Sequence, residues 1–210
     1  DALITQDAVP VLASITQDGN ENSSTIVQTA TSSGSSAITT QFGNQNDSLI
    51  TQSGTGASAT VSQTDVPSGN GRPRLRGDDG RDVAGGDPVR ANWSNIMQSG
   101  DGVAADITQS GDLNRSEVLQ SGDGADAKLN QSGIFNNSQI EQNADSFADV
   151  MQGGAYGDNN SQITQNANSA SATVNQSADS TFPTYFPTND SVILQNADAT
   201  ADVTQAGKQN

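Results

Sequence analysis

Residues 105–131 read ADITQSGDLNRSEVLQSGDGADAKLNQ, and the pattern within this stretch determines the fold. Glutamine returns at every eleventh position, as Gln109, Gln120 and Gln131. Two positions before each Gln stands an aliphatic residue, and Gly follows two positions after the first two of them. A fixed period in both the Gln and its neighbours indicates a repeat architecture rather than a Gln-rich tract.

The Gln series extends outward from this stretch to both ends of the chain. Sixteen of the twenty glutamines belong to it, and nine of its fifteen intervals equal the interval from Gln109 to Gln120. The members are Gln6, Gln17, Gln28, Gln41, Gln52, Gln63, Gln98, Gln109, Gln120, Gln131, Gln142, Gln152, Gln165, Gln176, Gln195 and Gln205.

An aliphatic series accompanies the Gln series two residues earlier, with Thr39, beside Ile38, as its one exception. It consists of Ile4, Ile15, Ile26, Ile50, Val61, Ile96, Ile107, Val118, Leu129, Ile140, Val150, Ile163, Val174, Ile193 and Val203. Two residues after the Gln comes Gly or Ala, with Asp65 as the exception. These small residues let the backbone turn.

A second, longer period lies four residues before each Gln, where Ala and Ser alternate from Ala13 to Ala201. The repeating unit is therefore two half-repeats, about 22 residues long. Asparagine follows the same alternation, six residues before the Gln of each Ser-type half. These residues are Asn22, Asn46, Asn92, Asn114, Asn136, Asn159 and Asn189.

The residues four and two positions before each Gln lie on the same face as that Gln only if the chain is extended, because the side chains of a strand alternate between its two faces. Each half-repeat therefore predicts a short strand with Ser or Ala, an aliphatic residue and Gln on its inner face. A helix is excluded, since one large apolar residue per half-repeat gives no continuous helical stripe.

Two strands and two turns per repeating unit predict an all-β, two-sided β-solenoid of cross-β strand-turn-strand rungs. We expect seven full rungs plus a half rung at each end, stacked at about 4.8 Å. Stacking places like on like, so Gln and Asn should form hydrogen-bonded structural ladders and the aliphatic residues a dry seam. The first and last half-repeats lie next to the chain ends, so no capping segment is expected over the end strands.

Composition alone would predict disorder. The 210 residues carry a net charge of −16, and fewer than one residue in five is Leu, Ile, Val or Phe. That is too little apolar area to offset chain entropy in an ordinary domain. The repeat changes this interpretation, because one aliphatic side chain per half-rung suffices when small residues let two sheets approach closely.

The same composition excludes several classes of function. Without Cys or His the chain has no thiolate or imidazole ligand and no His base, so we expect no enzyme activity, no cofactor and no metal site. Eight basic residues against 24 acidic ones argue against nucleic-acid binding. The apolar runs are all far shorter than a membrane-spanning helix requires, so no membrane span is expected.

Two long gaps divide the Gln series. The predicted organisation is solenoid rungs at 1–63, a Gly/Asp/Arg/Pro-rich insertion loop at 64–91, rungs at 92–176, a Pro/aromatic insertion loop at 177–188 and terminal rungs at 189–210. Both insertions join an Ala-type half to a Ser-type half, so both should leave from the same edge of the solenoid. The second insertion is expected to lie over the solenoid side, to contact a neighbouring assembly, or to have no partner.

Three further motifs suggest weaker alternatives. Arg76-Gly77-Asp78 spells an integrin-type adhesion tripeptide, although such triplets arise easily in an Arg/Gly/Asp-rich segment. Asp-Gly pairs are compatible with calcium, but turn chemistry explains them better because the nine-residue calcium-binding repeat is absent. A β-helix polysaccharide lyase or hydrolase would need wider rungs than this repeating unit provides.

The repeat resembles a known family. Segments 17–28, 41–52, 109–120 and 131–142 are similar to the curlin repeat, Ser-x5-Gln-x-Gly-x2-Asn-x-Ala-x3-Gln, with Ser here in place of the family's Ala. The resemblance implies a secreted bacterial protein that polymerises into curli, the amyloid fibres of the biofilm matrix.

Fold and resemblance together predict a self-assembling structural subunit of an extracellular, cell-surface fibre that supports adhesion and aggregation. Its partners would be further copies of itself, joined head-to-tail through open strand edges, and neighbouring fibres or cell surfaces. The alternative is a monomeric β-solenoid adhesin or ice-binding protein. Whether the chain is a major subunit or a nucleator is left open.

Overall fold

The computed structural model describes residues 1–7, 9–65, 92–154, 158–178 and 188–207, with the side chains of Asp158 and Thr188 excepted. Within these ranges the chain forms two parallel sheets of eight strands each. The predicted all-β, two-sided solenoid is confirmed. Its sixteen described strands correspond to the predicted seven full rungs with a half rung at each end.

The first sheet, here called the odd sheet, contains every Ser-type half-repeat. In spatial order its strands are β1 (Ala2–Gln6), β3 (Ser23–Gln28), β5 (Asp47–Gln52), β7 (Trp93–Gln98), β9 (Arg115–Gln120), β11 (Asn137–Gln142), β13 (Asp158–Gln165) and β15 (Thr188–Gln195).

The second sheet, the even sheet, contains every Ala-type half-repeat. Its strands are β2 (Leu12–Asp18), β4 (Ser36–Phe42), β6 (Ser58–Thr64), β8 (Ala104–Asp112), β10 (Asp126–Ile134), β12 (Ser146–Gly153), β14 (Ala170–Ser177) and β16 (Thr200–Ala206). The alternation of Ser and Ala along the chain therefore separates the two sheets.

Successive strands of a sheet pair in register, so equivalent repeat positions stack. Ile107 pairs with Leu129 and Gln109 with Gln131, and the same correspondence holds from rung to rung. Like side chains therefore form columns along the solenoid axis. Side chains two residues apart point inward, as the alternating burial of β4 (intermediate, buried, intermediate, buried) illustrates.

Turns connect the sheets at two edges. The Asn edge lies where even strands end and odd strands begin. Five of the seven predicted Asn residues directly precede an odd strand there, and Asn159 and Asn189 lie within the first residues of β13 and β15. The opposite edge contains the turns from odd to even strands, where Ala57, Val103 and Ala125 form a small buried cluster.

Glycine at the Asn edge is required by close stacking. Gly111 has φ +106°, and a Cβ built on it would lie 2.1 Å from the carbonyl oxygen of Gly133 in the next rung. That distance is far below van der Waals contact, so only the bare backbone of glycine fits here. The Gly following Gln in the repeat thus sets how closely the rungs approach.

The two predicted insertions, at 64–91 and 177–188, stay predictions. Residues 66–91 follow the end of β6, and residues 179–187 precede β15. Both segments lie outside the described residues, as do the five Arg of the first insertion, Arg76-Gly77-Asp78 and the aromatics of the second. The strands extend one residue into the predicted boundaries, at Thr64, Ser177 and Thr188.

Candidate assembly interface

The glutamines of the odd sheet form a continuous ladder of side-chain hydrogen bonds. From Gln6 to Gln195, each Nε2 donates to the Oε1 of the Gln in the next rung, in seven bonds of 2.8–3.0 Å. Each of the six interior members is buried. A carboxamide suits this position because it carries both a donor and an acceptor along one axis.

The even sheet has an equivalent ladder. From Gln17 to Gln205, each Nε2 again donates to the next Oε1, in seven bonds of 2.7–2.9 Å. The sixteen predicted Gln residues therefore lie in two ladders, one on each sheet, and every one of them has a ladder partner.

A second bond ties each ladder to the facing sheet. Gln165 Nε2, on β13, also donates to the backbone oxygen of Phe147 on β12 at 2.9 Å, and Gln109 Nε2, on β8, donates to that of Trp93 on β7 at 3.0 Å. This contact recurs from Gln17 to Gln205. Buried carboxamides consequently leave no amide hydrogen without an acceptor, as a dry interior requires.

The seven predicted Asn residues form a third ladder, at the Asn edge. Six bonds of 2.7–3.3 Å connect each Nδ2 to the Oδ1 of the Asn in the preceding rung, from Asn46 to Asn189. These bonds run opposite to those of the Gln ladders. Several Asn also donate to backbone oxygens of the turn; Asn114, for example, contacts Gly133 O at 3.1 Å.

The predicted aliphatic residues lie together between the sheets. Twelve of them, from Ile26 to Ile193, belong to one buried cluster with the Ala residues of the even sheet. Thr39, the exception in sequence, occupies its seam position with 0% exposure, and Ile38 lies on the outer side. The aliphatic residues and the Gln residues both point into the interior, because on each strand they are two residues apart.

Serine and alanine are not equivalent inside the solenoid. Ser116 Oγ accepts from Gln109 Nε2 at 2.8 Å and donates to Gln131 Oε1 at 2.9 Å, so it links the odd sheet to the even ladder. The hydroxyls of Ser138, Ser161 and Ser191 are buried and have no hydrogen-bond partner among the described residues.

The end rungs differ from the interior. Ile4 in β1 is 41% exposed, whereas Ile26, one rung inward, is 0% exposed. All five residues of β1 are exposed, and β2 and β16 have no fully buried residue. Within the described residues no strand pairs with the outer edges of β1, β2, β15 or β16. Both ends therefore present unpaired backbone groups beside exposed aliphatic side chains.

A fourth, shorter ladder escaped sequence reasoning. At the edge opposite the Asn ladder, Ser121 Oγ donates to Asn143 Oδ1 (2.7 Å), Asn143 Nδ2 to Asn166 Oδ1 (2.9 Å), and Asn166 Nδ2 to Asn196 Oδ1 (2.8 Å). The one signal in the sequence was the residue after each odd-sheet Gln, which becomes Asn in the last three rungs.

Both cations with described side chains, Arg115 and Lys128, lie over aromatic rings on the outer faces. The Arg115 guanidinium is 4.5 Å from the centre of the Trp93 ring, and the Lys128 amine is 5.6 Å from that of Phe147. Lys128 is also paired in register with Asp106 and Asp149 on the neighbouring strands. These contacts place positive charge among the acidic side chains of the outer surface.

Acidic side chains do not gather into a metal-binding group of three or more in the ranges for which positions are given. Over the same ranges no helix is long and apolar enough to cross a membrane.

Comparison with known proteins gives one family. The model of the curlin associated repeat matches residues 33–64 and 104–133, which contain strands β4 to β6 and most of β8 to β10. No curated protein sequence matches the chain. The matched segments carry the Gln, Asn and Gly positions that form the ladders and turns described above. Over these two segments the chain is therefore similar to the curlin associated repeat.

Proposed function

We propose that the chain is a structural subunit that assembles head-to-tail into an extracellular, curli-like amyloid fibre. The curlin-repeat family is structural rather than enzymatic, and it implies self-assembly. The proposed fibre belongs to a bacterial biofilm matrix and supports adhesion and aggregation at the cell surface.

One observation carries the proposal: the interior columns run to the ends of the solenoid without a cover in the described residues. Ile4 remains 41% exposed at the first rung, and the outer edges of β1, β2, β15 and β16 lack strand partners there. Unpaired strand edges of this kind are a template for pairing with a further strand. Stacking β1 and β2 of one copy on β15 and β16 of another would continue both sheets.

Eight strands per sheet set the expected repeat of the fibre. At about 4.8 Å per strand, each copy would add ~38 Å along the axis. Fibre diffraction of the purified protein should show a meridional reflection near 4.8 Å, together with thioflavin binding. A stable, soluble monomer at high concentration would contradict the proposal.

The alternative of an ice-binding face gains no support from the outer surface. Thr16, Thr40, Ser62 and Thr108 stack in register on the even sheet, but Asn130 follows them in the same column. Side chains with hydroxyl groups are therefore aligned in register along only the first half of the even sheet. The monomeric alternatives would be favoured by the soluble-monomer outcome of the test above.

A further inference from the structure

A cleft lies on the outer face of the odd sheet, beside the Asn edge. Its volume is about 380 Å³, which is within the range of small-ligand sites. Outward side chains of β9 and β11 form its floor, and residues of the two preceding turns form one wall. The lining side chains used below are Leu113, Arg115, Glu117, Phe135, Asn137 and Gln139.

The floor of the cleft is a square of four polar side chains. Arg115 pairs in register with Asn137, and Glu117 with Gln139. All four point outward, because the residues between them on each strand are buried. The square combines N–H donors from Arg115, acceptor oxygens from Glu117, and two carboxamides that can both donate and accept.

The wall of the cleft is apolar and has a special backbone conformation. Leu113 and Phe135 each directly precede an Asn of the Asn ladder, with φ +59° and +63°. This left-handed conformation is unfavourable for residues that carry a Cβ. At the equivalent positions nearer the N-terminus stand Glu21 and Gln45, which are hydrogen-bonded to each other at 2.8 Å. An apolar pair thus replaces a polar pair in the rungs that contain the cleft.

The charged groups of the floor retain hydrogen-bonding capacity. Over the described ranges the Arg115 guanidinium contacts the Trp93 ring, 4.5 Å from its centre, and no oxygen accepts from its N–H groups. Glu117 receives two long contacts, at 3.4 Å from Asn95 Nδ2 and at 3.5 Å from Gln139 Nε2. Both a donor and an acceptor are therefore available to a ligand in the cleft.

The pairing of a cation with a carboxylate disfavours charged ligands. An anion would lie beside Glu117 on a chain of net charge −16, and a cation would lie beside Arg115. A neutral hydroxyl group can accept from Arg115 and donate to Glu117 in charge-assisted hydrogen bonds. A pyranose ring carries several hydroxyls around an apolar C–H surface, which can pack against Leu113 and Phe135.

We propose that this cleft binds a neutral sugar unit of a polysaccharide. Arg115 and Glu117 would hydrogen-bond the sugar hydroxyls, and Leu113 and Phe135 would contact the ring. The cleft lies on the side of the solenoid and away from the end strands, so a single chain and an assembled fibre would both present it. This binding site goes beyond the proposed function and does not depend on fibre formation.

The test is calorimetric titration of the soluble full chain with neutral hexasaccharides of glucose, mannose and galactose. A hexamer of glucuronic acid and one of glucosamine provide the acidic and basic comparisons. The variants take residues that the same columns already contain, so the solenoid should be retained. Arg115→Ser introduces the residue found at Ser23, and Glu117→Thr the residue found at Thr25.

We expect a neutral hexasaccharide to bind the wild type, and to bind Arg115→Ser and Glu117→Thr at least about tenfold more weakly. Asp126→Ser is the matched control, because it removes one negative charge from the other sheet and introduces the residue found at Ser58. Its affinity should stay within about twofold of the wild type, since distant surface charges are screened.

Phe135→Gln tests the wall separately, with the residue that Gln45 provides at the equivalent turn position. It should also weaken binding, while the circular dichroism spectrum of each variant remains that of the wild type. Binding of none of the neutral sugars, tighter binding of the acidic or basic hexamer, or equal affinity of Asp126→Ser and the cleft variants would overturn the proposal. Because the soluble chain is titrated, these outcomes are independent of whether fibres form.

Discussion

Gln109 Nε2 donates to Gln131 Oε1 at 2.9 Å inside the solenoid, where both side chains are 0% exposed. Each Gln carboxamide donates a hydrogen bond to one neighbouring rung and accepts one from the other. A side chain that can only donate or only accept therefore cannot replace it. The stability of the fold therefore depends on amide identity as well as on apolar burial.

Replacing an interior ladder glutamine with glutamate should destabilise the solenoid strongly. Gln109→Glu buries a charge and sets acceptor against acceptor toward Gln131, at an expected cost of about 3 kcal/mol or more. The measurement is the shift in the guanidinium midpoint. Gln162→Glu is the matched control, because Gln162 is outside the ladders and bonds Gln139 on the exposed face. Equal shifts for the two variants would contradict a structural role for the ladder.

Buried serines should respond in opposite ways to removal of the hydroxyl. Ser116→Ala removes two bonds to the even Gln ladder and should cost about 1–2 kcal/mol. Ser161→Ala should be neutral or slightly stabilising, because the Ser161 hydroxyl is buried without a described partner. Denaturant titration of the two variants in parallel measures the difference. A larger loss for Ser161→Ala would show that its hydroxyl has a partner the structure does not record.

Gly111, at the Asn edge, should be far less replaceable than Gly102, in a turn at the opposite edge. Gly111→Ala drives a methyl group into the Gly133 carbonyl and should cost about 3 kcal/mol. Gly102 also has positive φ (+65°), but a methyl group added there would meet no atom within 4 Å, so Gly102→Ala should cost about 1 kcal/mol. Thermal unfolding of both variants checks the prediction, and indistinguishable midpoints would mean that the rungs are not stacked this closely.

Net charge should control the rate of assembly. The chain carries −16 at pH 7 and has a pI near 4.1, so copies repel one another at neutral pH. Raising ionic strength from 0.01 to 0.15 M shortens the Debye length from about 30 to about 8 Å, and the lag in thioflavin fluorescence should shorten several-fold. Lowering the pH toward 4 should act in the same direction.

Asp202→Asn, on the exposed outer face of the last strand, provides the charge control. It should speed assembly at low salt and have little effect at about 0.5 M, where surface charges are screened. An effect of the same size at both salt concentrations would point to a cause other than charge repulsion.

Much of the fold could be predicted from the sequence because a solenoid converts a one-dimensional period directly into columns. The Ser/Ala alternation from Ala13 to Ala201 predicted two half-repeat types, and the structure places them in separate sheets. The Thr39 exception was also harmless, because a threonine methyl can occupy a seam position while Ile38 points outward.

Other features of the interface could not be predicted, because the period gives a residue's column but not its side-chain rotation. The direction of the ladders depends on which backbone oxygen faces each carboxamide, as Phe147 faces Gln165. The partnerless hydroxyls of Ser138 and Ser161 depend on the same geometry. The short ladder through Asn143 and Asn166 was visible only as a change in one position over the last rungs.

Continuity of the solenoid from one copy to the next can be observed by helical reconstruction of fibres of the purified chain from cryo-electron micrographs. We expect one copy per ~38 Å of fibre axis, strands perpendicular to that axis, and Gln6 of each copy stacked on Gln195 of its neighbour. Copies joined side by side through their outer faces, or stacked with Gln6 against Gln6, would show that the solenoid does not continue between copies.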